Sequence, residues 1–258
     1  MAANSANPAN PADSASAGSP GPRKALVTGA AREGGIGAAI AARLGAAGLD
    51  VATLDVEPGC TFQVDLVSGA LPRLEDIDVV VSNAGVPTIF GAAHTVDLDR
   101  WRRDLDVNLT GSFRVVQACL PGMRERRFGR IIVISSIAAF SGMPAQVAYS
   151  ASKAGLLGMI KTIAAENAAH GITANAILPG LVSSSGVLQM PTPIIDAWLE
   201  RIPSGRLVAT EEIAEAAAYF ASPAAASTTG QELLIDGGQS LNTLSVTGSV
   251  VRARVERP

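Results

Sequence analysis

Short apolar runs punctuate this chain, each closed by glycine, proline or a polar residue, and longer alanine-rich stretches lie between them. Runs at 24–29, 50–56, 61–64, 78–82, 130–134, 173–178 and 232–235 have the length and content of buried strands. Stretches at 38–48, 98–127, 147–170 and 211–221 read as helices, and the gap between 65 and 78 leaves room for only a short one. Strand alternates with helix throughout, which predicts an α/β fold: a doubly wound parallel sheet with helices on both faces, in a single domain over 23–240. Segment 183–206 is looser, rich in Pro and Met, and reads as a lid.

Both ends fall outside this pattern. Residues 1–22 are nearly all Ala, Asn, Ser, Pro and Gly, a composition that buries too little apolar surface to fold, so a disordered tail is expected. Residues 241–258 are polar with alternating Val and a basic end; they could reach a neighbouring subunit, but the reading favours a second tail.

Composition narrows the class. A net charge of −3 leaves no nucleic-acid footprint, and no apolar run is long enough for a membrane span. The tail lacks a secretory pattern, so a cytoplasmic location is expected. Cys60 and Cys119 lack metal-ligand spacing, and His94 and His170 stand alone, so no metal site is expected.

The first strand runs into Gly29-Ala-Ala-Arg-Glu-Gly-Gly35-Ile-Gly37 and then a helix. That order aims backbone N–H groups and a helix N-terminus at a pyrophosphate, with glycines because a Cβ would hold the phosphates away. Asp55 closes the second strand, where a carboxylate accepts from both adenosine ribose hydroxyls and repels a 2′-phosphate. NAD is therefore expected in preference to NADP, although Arg32 in the loop could meet such a phosphate. Asp65, after the third strand, is placed to take the adenine amino group. Ser82-Asn83-Ala84-Gly85 is a polar turn at the sheet edge, where the coenzyme ribose would lie.

Chemistry converges on Tyr149 and Lys153, four apart on one helix face. A phenol titrates near ~10, and an ammonium within reach stabilises the phenolate, so Lys153 is expected to lower the Tyr149 pKa towards neutrality. Ser135 and Ser136 are delivered at the carboxyl end of the fifth strand, the functional edge of such a sheet. Phe140, Met143, Gln146, Met190, Ile194 and Trp198 are candidate substrate contacts, and their character suggests a mostly apolar alcohol or ketone. For Ile194 and Trp198, lid anchoring is an equal alternative. The basic stretch 124–130 reads as a solvated face that could also greet an acidic carrier.

Taken together, these motifs resemble the short-chain dehydrogenase/reductase superfamily from about 24 to 239. The resemblance rests on the glycine loop, Ser82-Asn-Ala-Gly85, Asn108, Ser136, Tyr149-x-x-x-Lys153, Pro179-Gly180 and Asp236-Gly237-Gly238, in the family's order. It implies a Rossmann-like fold, and an Asn108, Ser136, Tyr149, Lys153 tetrad. Tyr149 would be the general acid or base, with Ser136 bonding the substrate oxygen. Lys153 would serve both Tyr149 and the nicotinamide ribose, and Asn108 would hold a relay water. It also implies coenzyme contacts from Gly29, Arg32, Gly35, Ile36, Gly37, Asn83, Ala84, Gly85, Pro179, Gly180, Val182 and Ser184, and a homotetramer.

This sequence departs from the family pattern in places. Its glycine loop is two residues longer than the family's, Ser82 replaces an Asn whose hydrogen bonding a hydroxyl can partly reproduce, and Ser184 replaces a Thr. The expected activity is interconversion of a secondary alcohol and a ketone. The alternatives are an NADPH-dependent 3-oxoacyl-carrier-protein reductase and a non-catalytic dinucleotide sensor.

Overall fold

The computed structural model describes residues 21–87 and 90–241. Both proposed tails lie almost wholly outside these residues. Seven strands, β1 (Lys24–Thr28), β2 (Asp50–Asp55), β3 (Phe62–Gln63), β4 (Val79–Ser82), β5 (Gly129–Ile134), β6 (Ile172–Pro179) and β7 (Glu232–Ile235), form one sheet in the order β3-β2-β1-β4-β5-β6-β7. Every pairing is parallel.

Successive strand residues point to opposite faces, so each central strand feeds two cores. Leu26, Val80, Ile131 and Val133 pack on one face with Val116 and Met123 of α3 (Gly111–Arg126) and Leu156 and Ile160 of α5 (Val147–Asn167). Ala25, Val27, Val81, Ile132 and Ile134 pack on the other with Ile40 and Leu44 of α1 (Ile36–Ala46) and Ile213 and Phe220 of α8 (Thr210–Ala221). The order in which strands are added reverses between β1 and β4, which opens a crevice at the carboxyl ends of these strands.

Four stretches differ from the sequence reading. The 98–127 stretch is not one helix: α2 (Leu98–Leu105) passes through a π-helical turn, Asp106–Thr110, into α3. Such turns recur at functional sites, and this one carries the buried Asn108. Between β3 and β4 no helix forms; Leu66, Leu74 and Ile77 instead plug that face from a loop. The lid holds two short helices, α6 (Ser185–Leu188) and α7 (Thr192–Leu199), following a further one, α4 (Ala138–Ser141), after β5.

The basic stretch is exposed over residues 124–127, as a solvated face should be, but its arginines are engaged by the protein itself. Arg124 donates to Asn167 at 2.7 Å, Arg126 pairs with Asp78 at 2.9 Å, and Arg127 donates to the Ala169 carbonyl at 2.8 Å. Arg130 is buried among backbone carbonyls and lies with its guanidinium over the Phe128 ring. Among the described residues no helix is long and apolar enough to cross a membrane.

Candidate active site

The crevice is floored by a junction between the first and fourth strand ends. The Thr28 hydroxyl accepts from the N–H groups of Asn83 and Ala84, both at 3.0 Å. The Asn83 amide donates back to the carbonyls of Thr28 at 3.0 Å and Gly29 at 2.9 Å. Gly29 has φ 69°, and a Cβ there would stand 2.7 Å from the Ala84 Cα. A Cβ on Gly37 would run into the Gly29 carbonyl. Glycine is therefore required at both by close backbone approach, and the resulting loop has the shape of a phosphate cradle.

Thr28 was not singled out from the sequence; its position immediately before the first loop glycine was the signal. Ser82 differs from expectation: it is buried, and its hydroxyl has no hydrogen-bond partner among the described residues. The hydrogen bonding anticipated for it falls to Asn83 instead.

The polar group behind the crevice is built from α5, β5 and the π-helical turn. Asn108 accepts from the Val86 N–H at 2.7 Å and donates to the Val86 carbonyl and the Ser152 hydroxyl, both at 3.0 Å. Ser152 in turn donates to the Tyr149 carbonyl at 2.7 Å. Ser152 is thus a second residue missed from sequence, although it lies inside the Tyr149–Lys153 motif. Lys153 is buried and donates from Nζ to the Ile134 carbonyl at 2.8 Å. Gly85 faces both side chains: a Cβ there would lie 3.0 Å from Lys153 Nζ and 3.3 Å from Asn108 Oδ1. Ser135 donates to the Lys153 carbonyl at 2.9 Å, a structural bond, while Ser136 hydrogen-bonds Tyr149.

The electrostatics depart from the sequence expectation. Burial raises the Tyr149 pKa, and the hydrogen bond to Ser136 only opposes that rise. Lys153 does not reverse that rise: its Nζ is 5.7 Å from the ring centroid and turned to the Ile134 carbonyl. Burial also lowers Lys153 itself, to about 8. Tyr149 therefore keeps its proton at neutral pH.

These groups line one cleft of about 1310 Å³. All the residues assigned from sequence line it except Gly37, Asn108 and Phe140. Gly37 lies beneath the cradle and Asn108 behind Lys153. Phe140 is 68% exposed on α4, and the cleft does not include it. The cleft mouth instead includes Phe90, 65% exposed, from a loop that gave no periodic signal. Asp65 lines the opposite end, where Val67 N–H and the Ser68 hydroxyl hold its pKa below the usual carboxylate range. Asp55 accepts from the Ala31 N–H at 3.0 Å and the Glu57 N–H at 3.1 Å.

Such a cradle, set beside a buried Tyr and Lys at the carboxyl edge of a parallel sheet, defines a dinucleotide-dependent oxidoreductase. Known proteins place it more closely. A family model described as enoyl-(acyl carrier protein) reductase matches residues 61–240. The acetoacetyl-CoA reductase of Rhizobium meliloti is 38% identical over 239 residues, spanning 84% of this chain and 98% of that protein. The 3-oxoacyl-[acyl-carrier-protein] reductase of Vibrio cholerae is 35% identical over 236 residues, spanning 83% and 96%. Among solved structures, a proposed 2-deoxy-D-gluconate 3-dehydrogenase from Agrobacterium tumefaciens, with bound NADP, matches with a TM-score of 0.80 at 32% identity, covering 86% of this chain and 98% of that one. The chain belongs to the short-chain dehydrogenase/reductase superfamily, and it is an NAD(P)-dependent oxidoreductase.

The expected preference for NAD over NADP is overturned by the NADP held in the Agrobacterium structure. The Ala31 N–H of the glycine loop and the Glu57 N–H just after β2 offset the Asp55 charge, and Arg32 lines the same cleft.

Proposed function

We propose that this chain interconverts a secondary alcohol and a ketone, with NADP(H) as coenzyme and Tyr149 as the proton-transferring group. The observation that carries the reading is Tyr149, hydrogen-bonded to Ser136 and holding its proton at neutral pH, beside the buried Lys153. The coenzyme fits the cradle that Gly29 and Gly37 keep clear of side chains, and when bound it supplies or accepts the hydride. Ser136 donates to the substrate oxygen and stabilises its developing charge. Tyr149 gives that oxygen its proton in the reducing direction and takes it back in the oxidising one. Lys153 orients the coenzyme ribose and carries positive charge beneath the phenol. Asn108, fixed by Val86 and Ser152, holds the proton path from Lys153.

Gly29, Arg32, Gly35, Ile36, Asn83, Ala84 and Gly85 are assigned to the phosphate and ribose end, with Gly37 supporting the loop from below. Asp55 and Asp65 serve the adenosine, and Pro179, Gly180, Val182 and Ser184 the nicotinamide. Met143, Gln146, Met190, Ile194 and Trp198 form the substrate wall. Its apolar character favours a largely apolar substrate. Leu233 and Leu234 are partly exposed on the edge strand β7, which supports the homotetramer that the family resemblance implies.

A second reading, reduction of a 3-oxoacyl thioester, is favoured by the names of the Rhizobium and Vibrio relatives. The arginines of 124–130 lend it no support, because the protein's own carbonyls and carboxylates engage them. Steady-state turnover of acetoacetyl-CoA and of a panel of cyclic and acyclic ketones with NADPH separates the two. A kcat/KM for acetoacetyl-CoA above that of every simple ketone selects the thioester. The reverse order selects the simple ketone.

A further inference from the structure

The glycine loop and the lid touch, at a place the longer loop creates. Five residues, 30–34, separate Gly29 from Gly35, two more than the Gly-x-x-x-Gly-x-Gly spacing has. Gly34 has φ 68°, so the chain reverses there. Its carbonyl accepts the Ser185 N–H at 3.0 Å. A Cβ on Gly34 would lie 3.4 Å from the Ser185 Cβ, and the Ser185 hydroxyl is buried without a partner among the described residues. One residue on, a Cβ on Gly186 would stand 3.2 Å from an Arg32 guanidinium nitrogen. Arg32 and Gly34 thus face α6, the first helix of the lid. At its roots the lid is tied independently, Ser183 N–H to the Val208 carbonyl at 2.8 Å and Ser204 N–H to the Gly237 carbonyl at 3.0 Å.

We propose that the lengthened loop, through Gly34 and Arg32, is a seat that latches the lid onto the phosphate loop. Gly34 and Arg32 are then positioning residues that couple coenzyme phosphate binding to formation of the substrate wall. The inference rests on the coenzyme occupying the cradle as proposed above. Phosphates held by the loop backbone and by Arg32 fix the Gly34 carbonyl and the guanidinium where α6 needs them. The lid carries Met190, Ile194 and Trp198 into the cleft, so its ordering cost is met before substrate arrives. Coenzyme therefore raises substrate affinity, and losing the latch raises KM while kcat holds.

Ser185→Pro is the cleanest test. Proline suits the first position of a helix, and Ser184 before it is already extended, with φ −72° and ψ 157°. The substitution removes the N–H donor to Gly34 and leaves α6 intact. Loss of one hydrogen bond predicts a KM for ketone about three- to tenfold higher, with NADP⁺ affinity changed less. Trypsin cleavage at Arg201 should be several-fold faster in the variant without coenzyme. Bound NADP⁺ should protect the parent lid but not the variant lid.

Deleting Glu33 and Gly34, which restores the shorter loop, should act in the same direction and serves if the proline variant misfolds. Equal cleavage rates and equal KM in parent and variants would overturn the latch. A parent lid cut equally fast with and without NADP⁺ would overturn the coupling. If the parent turns over no ketone, the proposed activity fails, while cleavage of the coenzyme-free lid still decides whether the latch exists.

Discussion

At the scale of single residues, the site is governed by burial more than by pairing. Tyr149 and Lys153 are each moved by desolvation, the phenol upward and the ammonium downward to about 8. Both shifts disfavour charge in the folded protein. A protonated phenol is the form needed to reduce a ketone. The ammonium beneath it is present below about pH 8 and is lost as pH rises through that value. The kcat/KM for ketone reduction should therefore hold from neutrality downward and fall above about pH 8. A profile flat to well above pH 9 would show that Lys153 does not titrate there. The same shift has a stability consequence with the opposite sense. Between about 8 and its ordinary value near 10.5, Lys153 binds more protons unfolded than folded, so its contribution to stability rises with pH across that window.

Reading the pair from spacing alone gave the wrong direction for Tyr149. Four residues on a helix bring two side chains to one face, but spacing says nothing of which way Nζ turns. Here it turns to the Ile134 carbonyl. Asp55 misled for a similar reason. Its position at the end of β2 was legible, whereas the two backbone N–H groups that hold its carboxylate belong to loops without periodicity.

At the scale of elements, strands and long helices were legible because burial on both faces leaves unbroken apolar runs. The strands around Leu26, Val80, Ile132 and Ile177 fall where those runs lie. What escaped depends on tertiary context. The π-helical turn at Asn108 has no period of its own in the sequence. Phe140 was placed in the pocket by its closeness to Ser136, but the short α4 carries it out to solvent. Phe90, in an irregular loop, takes a place at the mouth that no pattern announced.

The tight element at the site is the β1–loop–α1 unit, where Gly37 abuts the Gly29 carbonyl. Gly37→Ala must push backbone against backbone, so it should weaken NADPH binding by at least about tenfold, read by fluorescence titration, and lower the melting temperature. Unchanged affinity would mean that the loop does not form the cradle.

At the scale of the whole molecule, one parallel sheet gathers every proposed chemical group to its carboxyl edge. The coenzyme loop comes from β1, the ribose turn from β4, Ser136 from β5 and the lid from β6. At one side of the sheet the edge strand β7 leaves Leu233 and Leu234 partly open. Light scattering should return about four times the 26.2 kDa chain mass. A monomer at micromolar concentration would remove the tetramer from the account.

In the proposed mechanism Tyr149 transfers the proton while the rest of the cleft holds coenzyme and substrate. Its most direct test is Tyr149→Phe, assayed with NADPH on whichever ketone or acetoacetyl-CoA the parent reduces best. The account expects kcat to fall by about 10²–10⁴-fold, the usual worth of a positioned acid, with NADPH affinity kept within a few-fold of the parent. A variant that retains more than a tenth of the parent's kcat would contradict it.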